Sequence, residues 1–196
     1  MSVPDHLLIA NGTLVSRDHA SVRGDVLVAG ERIDSVAPHI PAREGWKVID
    51  AAGKIVAPGF MNLHSHADFH LPIPEHAELY ERLLYQGITT NVGGQCGFSF
   101  FPFRPERRKE LDDYQGFLQY RDIDPSWSDC GGYFRAIEGK IAFNYAQLAG
   151  HGTLRSNAVG DVDRPLTAEE ARVVARALEE ALDQGAFGLS TGLEYV

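Results

Sequence analysis

The chain is poor in cysteine, with two in 196 residues, Cys96 and Cys130. That is too few for a disulfide framework, so free thiols are expected. No apolar run approaches the ~20 residues that span a bilayer. The opening residues, Met1-Ser2-Val3-Pro4-Asp5-His6, lack the basic and apolar regions of a secretory signal. Together these set the expectation of a cytoplasmic protein with no membrane partner. Positive charge is also scarce: 18 Lys and Arg face 27 Asp and Glu, a formal net charge of −9. Without a basic stripe to grip phosphate backbones, nucleic acid is not an expected partner. The one locally basic run, Arg104 to Lys109, is followed at once by Glu110, Asp112 and Asp113, the pattern of a solvated helix face. Phosphate-binding glycine motifs are missing too: there is no G-x-x-x-x-G-K-[S/T], and no G-x-G-x-x-G after a strand.

What remains is an ordinary globular composition, 44% apolar and 23% charged, which excludes wholesale disorder. Residues 6–10 and 13–15 read as strands flanking Asn11-Gly12, a hairpin-turn dipeptide. Residues 25–29 and 32–36 flank a second turn at Gly30-Glu31, and 47–50 and 54–57 follow as short strands. This predicts a small antiparallel layer over 1–57. From Pro58 the rhythm changes to strand, loop, helix. Strands are expected at 60–66, 88–93, 140–148 and 186–191, and helices at 75–86, near 105–119, at 130–138 and at 168–184. The last helix carries the clearest signals. Thr167 and Glu170 form a T-x-x-E capping box, Gly185 supplies the stop, and Val174, Ala177, Leu178, Ala181 and Leu182 form the stripe for burial. Alternating strands and helices predict a parallel α/β sheet or barrel over 58–196. A complete eight-unit barrel needs ~250 residues, so the expectation is the first half of one.

Of eight histidines, His64, His66, His70 and His76 fall between positions 64 and 76. In a strand with period 2, His64-Ser65-His66 points both imidazoles to one face. At the C-terminal end of a barrel strand that face is the mouth where sites are built, and two imidazoles suit a borderline metal such as Zn²⁺. The alternative is two polar residues at a strand end. Gly93-Gly94-Gln95-Cys96-Gly97 follows the next strand and sets a thiol among glycines that let the backbone approach a ligand. A thiolate there would complete a donor set, whereas a lone cysteine in a tight turn is often inert packing. Asp68 is either an acceptor behind a ligand histidine or a solvated loop carboxylate. His70 and His76, separated by Pro72 and Pro74, read as loop residues rimming a pocket, and Cys130 as packing.

The stretch Ala57-Pro58-Gly59-Phe60-Met61-Asn62-Leu63-His64-Ser65-His66-Ala67-Asp68 resembles the opening of the amidohydrolase superfamily, with its P-G-F-[I/V]-D-x-H-x-H signature. Three further stretches resemble the D-aminoacylase (N-acyl-D-amino-acid deacylase) branch: Gln95-Cys96-Gly97-Phe98-Ser99, the run from Ala149 to Arg155, and the run from Gly188 to Tyr195. The resemblance implies a small β-sandwich layer and, in this chain, the first four strands of a TIM-like (β/α)₈ barrel. It implies His64, His66 and Cys96 as metal ligands, one or two zinc ions, and a small-molecule N-acyl-D-amino acid as substrate. By the same likeness Tyr195 lies near the scissile carbonyl, to polarise it, and His151 lines the pocket. Asn62 stands where the signature has Asp. The remaining histidine ligands and the catalytic aspartate, expected from strands five, six and eight, have no counterpart before Val196. Two alternatives stay open: another branch, cleaving cyclic amides or deaminating a base, and an inactive chain that needs a complementing half. Oligomeric state is not legible.

Overall fold

In a computed structural model of the protein, residues 5–17, 20–120, 123–160 and 162–194 are described. The chain divides into two compact units between Pro58 and Gly59.

The first unit is one sheet. It contains β1 (His6–Leu14), β2 (Val22–Ala29), β3 (Arg32–Ala37), β4 (Lys47–Asp50) and β5 (Ile55–Val56). The order is β3-β2-β1-β4, with β5 also on β1. The turn at Gly30-Glu31 forms as expected, joining β2 and β3 antiparallel. The sheet is mixed rather than antiparallel throughout, because β4 and β5 both run parallel to β1 along its free edge. Asn11-Gly12 is not a hairpin turn either. β1 passes straight through it, and the pairing with β2 shifts register between Ile9 and Gly12. Asn11 adopts φ +65° there, the left-handed region that Asn tolerates, and so forms a bulge. Its backbone N–H donates to Asp25 Oδ1 at 2.7 Å and its side-chain amide to Asp50 Oδ1 at 3.0 Å. These partners lie across the sheet, so the dipeptide alone gave no sign of them.

The second unit is mixed α/β. Its strands are β6 (Phe60–Asn62), β7 (Ile88–Gly93), β8 (Asn144–Gly150) and β9 (Gly188–Ser190), all parallel and ordered β6-β7-β8-β9. Helices α1 (His76–Tyr85), α2 (Arg108–Gln115), α3 (Cys130–Ile137), α4 (His151–Val159) and α5 (Ala168–Asp183) fall between them. Because every strand points the same way, all the strand-end loops gather at one end of the sheet.

β6 is shorter than the expected 60–66, so both histidines lie past it. Ser65 still follows the line of the sheet, its N–H donating to Val92 O at 3.0 Å, before a 3₁₀ turn over Ala67–Phe69. The third strand begins at Asn144 rather than 140, since Gly139 turns the chain at φ +70° just after α3. Helix α4 was not foreseen. The side it buries is made of Gly152, Thr153, Leu154, Ser156 and Asn157, which shows no apolar stripe.

An aromatic cluster including Phe69, Phe98, Phe100, Phe101, Trp127 and Tyr133 forms the core. Trp127 Nε1 donates to Phe100 O at 2.7 Å within it. Cys130 packs there as expected. His76 lines a pocket with Tyr80, Lys140 and Phe143, and both His70 and His76 are tied in place by hydrogen bonds. His70 bridges Tyr80 Oη and Leu118 O, each at 3.0 Å, while His76 starts α1 and reaches Ile73 O and Lys140 O. Both are internal ties. The basic run pairs along α2 as expected of a solvated face, with Arg108 to Asp112 and Lys109 to Asp113 one turn on.

The Thr167–Glu170 capping box forms at the start of α5, and Glu170 also takes two hydrogen bonds from Arg164. Val174 and Ala181 are buried, but Leu182 is exposed, so the stripe is narrower than the sequence suggested. Thr167→Ala removes the acceptor for the Glu170 N–H and is expected to destabilise the protein by about 1 kcal/mol. Chemical denaturation checks this, and an unchanged midpoint would contradict it.

Candidate metal centre

His64 and His66 follow β6, Cys96 follows β7 and His151 follows β8, so the parallel sheet delivers all four to its C-terminal end. Three of them converge. One donor atom from each of His64, His66 and Cys96 lies within 4.8 Å of the other two. Cys96 Sγ is 3.3 Å from His64 Nε2, and the two imidazoles meet edge-on with ring centroids 5.8 Å apart. Among the described residues this is the one group of three or more histidine, cysteine and acidic side chains so placed.

The donor set fits zinc. Two imidazoles and a thiolate are ligands that a borderline ion takes in tetrahedral sites, with bonds of about 2.0–2.3 Å. His66 Nδ1 is buried without a hydrogen-bond partner, which leaves that imidazole wanting a Lewis acid or a further neighbour. Burial, then the neighbouring His64 and His70, holds the His66 pKa below its usual value. Its neutral form, the one that ligates, is therefore favoured. Near the three donors, Phe98 packs edge-on against the His66 ring at 6.0 Å.

The histidine segment is held from below. Asn62 Oδ1 accepts from the His64 N–H at 3.3 Å, while its amide donates to Asn91 Oδ1 at 3.1 Å. Gln95 Nε2 donates to Leu63 O at 2.8 Å, tying the cysteine loop to the histidine loop. The cysteine loop itself is unusual. Gly94, Cys96 and Gly97 all have positive φ (+75°, +58° and +82°), a conformation that a side chain at Cys96 makes costly. No Cβ could be carried at Gly94, where one would lie 2.0 Å from Leu148 O. So these glycines allow loop and sheet to approach closely, where the sequence suggested approach to a ligand.

Asp68 is neither of the two things its position suggested. It is fully buried, accepting from Gly94 N at 3.3 Å and Gln147 Nε2 at 3.4 Å. Burial pushes its carboxyl up to about 7, against the opposing pull of those hydrogen bonds. His151 opens α4 at the same end of the sheet and stays outside the donor group. Tyr195 lies outside the described residues. Sequence reasoning missed Ser99, Thr153 and Ser190. Ser99 N donates to Thr153 Oγ1 at 2.9 Å, Gly150 N to Ser99 Oγ at 3.0 Å, and Gly97 N to Ser190 Oγ at 3.0 Å. The three stretches singled out around Cys96, His151 and Leu189 are thus one hydrogen-bonded assembly. Their shared place in the sequence likeness was the only signal.

The profile of the Amidohydrolase family matches residues 47–193. The N-acyl-D-aspartate deacylase of Alcaligenes xylosoxydans xylosoxydans is 36% identical over 198 residues, covering 96% of this chain and 36% of that protein. The D-aminoacylase of the same organism is 34% identical over 199 residues, covering 99% of this chain and 39% of that protein. The crystal structure of an N-acyl-D-glutamate deacylase from Bordetella bronchiseptica, complexed with zinc and a phosphonate mimic of the tetrahedral intermediate, superposes with a TM-score of 0.80. It is 34% identical and covers 96% of this chain and 38% of that one. The chain therefore spans little more than a third of the length of these relatives.

Proposed function

The chain belongs to the amidohydrolase family, and from that premise we propose that it carries the first ligands of a zinc-dependent hydrolase of N-acyl-D-amino acids. The convergence of His64, His66 and Cys96 at one end of the parallel sheet carries this reading. Deacylases 34% and 36% identical over nearly the whole chain support the substrate class. A zinc ion held by the three donors would lower the pKa of a bound water and polarise the amide carbonyl. The net reaction adds water across the amide: the carbonyl carbon gains a hydroxyl, the C–N bond breaks, and the proton goes to the departing amine. The products are a carboxylate and a D-amino acid.

Each residue has a part in this. The half-buried His66 and Cys96 and the exposed His64 would together hold the ion. Phe98 covers the His66 ring and keeps that flank dry. In the same reading His151 lines the pocket, and the Tyr195 hydroxyl donates to the substrate carbonyl. Residues 58–196 form the first four strands of a (β/α)₈ barrel, supported by the sequential order of four parallel strands. Residues 1–57 form part of a β-sandwich. The exposed Val22, Ile33 and Val36 support this, since they leave an apolar face of that sheet for a second layer.

The test is hydrolysis of N-acetyl-D-amino acids by this chain completed with the strands that supply the remaining ligands and the aspartate, zinc-loaded, after chelation and after zinc is restored. Zinc-dependent release of the D-amino acid, with the L-enantiomers spared, is expected. Turnover of a cyclic amide instead, or activity indifferent to chelation, would overturn the reading.

A further inference from the structure

We infer that the Ser190 hydroxyl is a positioning group that sets the Cys96 thiolate by clasping both ends of its loop. This rests on the reading of Cys96 as a ligand. Cys96 and Asn11 are the non-glycine residues with positive φ among those described. Asn11 has its own side chain in place to support that conformation, whereas a cysteine side chain offers its backbone no such help. Something else must hold Cys96 there.

The two glycines that bracket it show what does. All four of their backbone polar groups are engaged. The Gly94 N–H donates to Asp68 Oδ1 at 3.3 Å, and the Gly97 carbonyl accepts from the Thr153 N–H at 3.1 Å. Ser190 takes the other two: its Oγ accepts from the Gly97 N–H at 3.0 Å and donates to the Gly94 carbonyl. A hydroxyl has one proton and two lone pairs, so a single side chain joins the carbonyl before the cysteine to the N–H after it. An alanine could do neither.

Ser190 is a rigid anchor for this clasp. It ends β9, pairs in register with Gly150 of β8, and is 7% exposed. Removing the hydroxyl strands the Gly94 carbonyl and the Gly97 N–H together. The loop then relaxes at its strained point, Cys96, and its Sγ leaves its place 3.3 Å from His64 Nε2. Both hydrogen bonds of the Ser190 hydroxyl go to the loop backbone, so its influence on the metal runs through the loop.

Cobalt(II) in place of zinc tests this, because a cysteine ligand adds a thiolate-to-cobalt charge-transfer absorption. Wild type, Ser190→Ala and Ser190→Thr are compared by chelator competition for cobalt and by that absorption. The metal-free forms are then alkylated with iodoacetamide. Ser190→Ala is expected to bind cobalt about 10- to 100-fold more weakly, with an attenuated charge-transfer band. Its Cys96 should alkylate several-fold faster while buried Cys130 stays protected. Ser190→Thr, which keeps the hydroxyl, should restore the band. Wild type that binds cobalt without the band overturns the ligand reading of Cys96, and this inference with it. A normal wild-type band with unchanged affinity and band in Ser190→Ala overturns the clasp alone. Equal exposure of Cys130 in Ser190→Ala would show that Ser190 holds the fold rather than the loop, and would also overturn it.

Discussion

Cys96→Ser is expected to lower zinc affinity by more than the roughly 10- to 100-fold that losing a residue behind a ligand costs. Sulfur is the reason. Bound to a metal, the thiol is deprotonated outright and gives a soft anionic donor. A serine hydroxyl in its place stays protonated and offers a weak, neutral oxygen. The backbone is not in question, since serine meets the same φ of +58° that cysteine already tolerates. Cys130→Ser is the matched control. Cys130 is 1% exposed in the core, and burial with the neighbouring Asp129 pushes its thiol up to about 12, so it has no call on a metal. Metal content after dialysis against a weak chelator should collapse in the first variant and hold in the second. Equal content in both would remove Cys96 from the site.

Gly150→Ala is expected to destabilise the protein by about 1–3 kcal/mol through overpacking, and to weaken metal binding with it. Its φ of −82° suits any residue, so the objection is space alone. An added Cβ would lie 2.4 Å from Phe98 C and 2.5 Å from Gly97 O. Both are backbone atoms of the cysteine loop and cannot rotate away. Gly116→Ala is the contrast. Gly116 sits at φ −59°, where a new Cβ would meet only Asp112 Cβ at 3.8 Å, so that change should be neutral or slightly stabilising. Denaturation midpoints for the two variants should separate clearly. Coincident midpoints would mean that the β8–loop contact is looser than described.

Much of the second unit was legible because its signals are local. β7 needs only its β-branched run, and α5 needs only Thr167, Glu170 and Gly185. That His64, His66 and Cys96 would come together was legible as well, from His-x-His and a cysteine one strand later. Its geometric reason was not, since β6 stops at Asn62 and the histidines converge from beyond the strand. What stayed hidden depends on distant partners. Asn11 reads as a turn until Asp25 and Asp50 are brought beside it. Asp68 reads as a loop carboxylate until the main chain at Gly94 and the Gln147 amide close over it. Ser190, 96 residues from Gly94, carries no local mark of its clasp. Helix α4 was missed for another reason: Leu154 apart, its buried residues are small or polar, so no apolar period betrays it.

Zinc-edge X-ray absorption on the zinc-loaded protein tests the central claim most directly, because it counts sulfur and nitrogen neighbours of the ion without relying on turnover. One sulfur at about 2.3 Å, with imidazole nitrogens at about 2.0–2.1 Å, is the predicted shell. That sulfur should vanish in Cys96→Ser and persist in Cys130→Ser. A shell of nitrogen and oxygen alone in the wild-type protein would contradict the account.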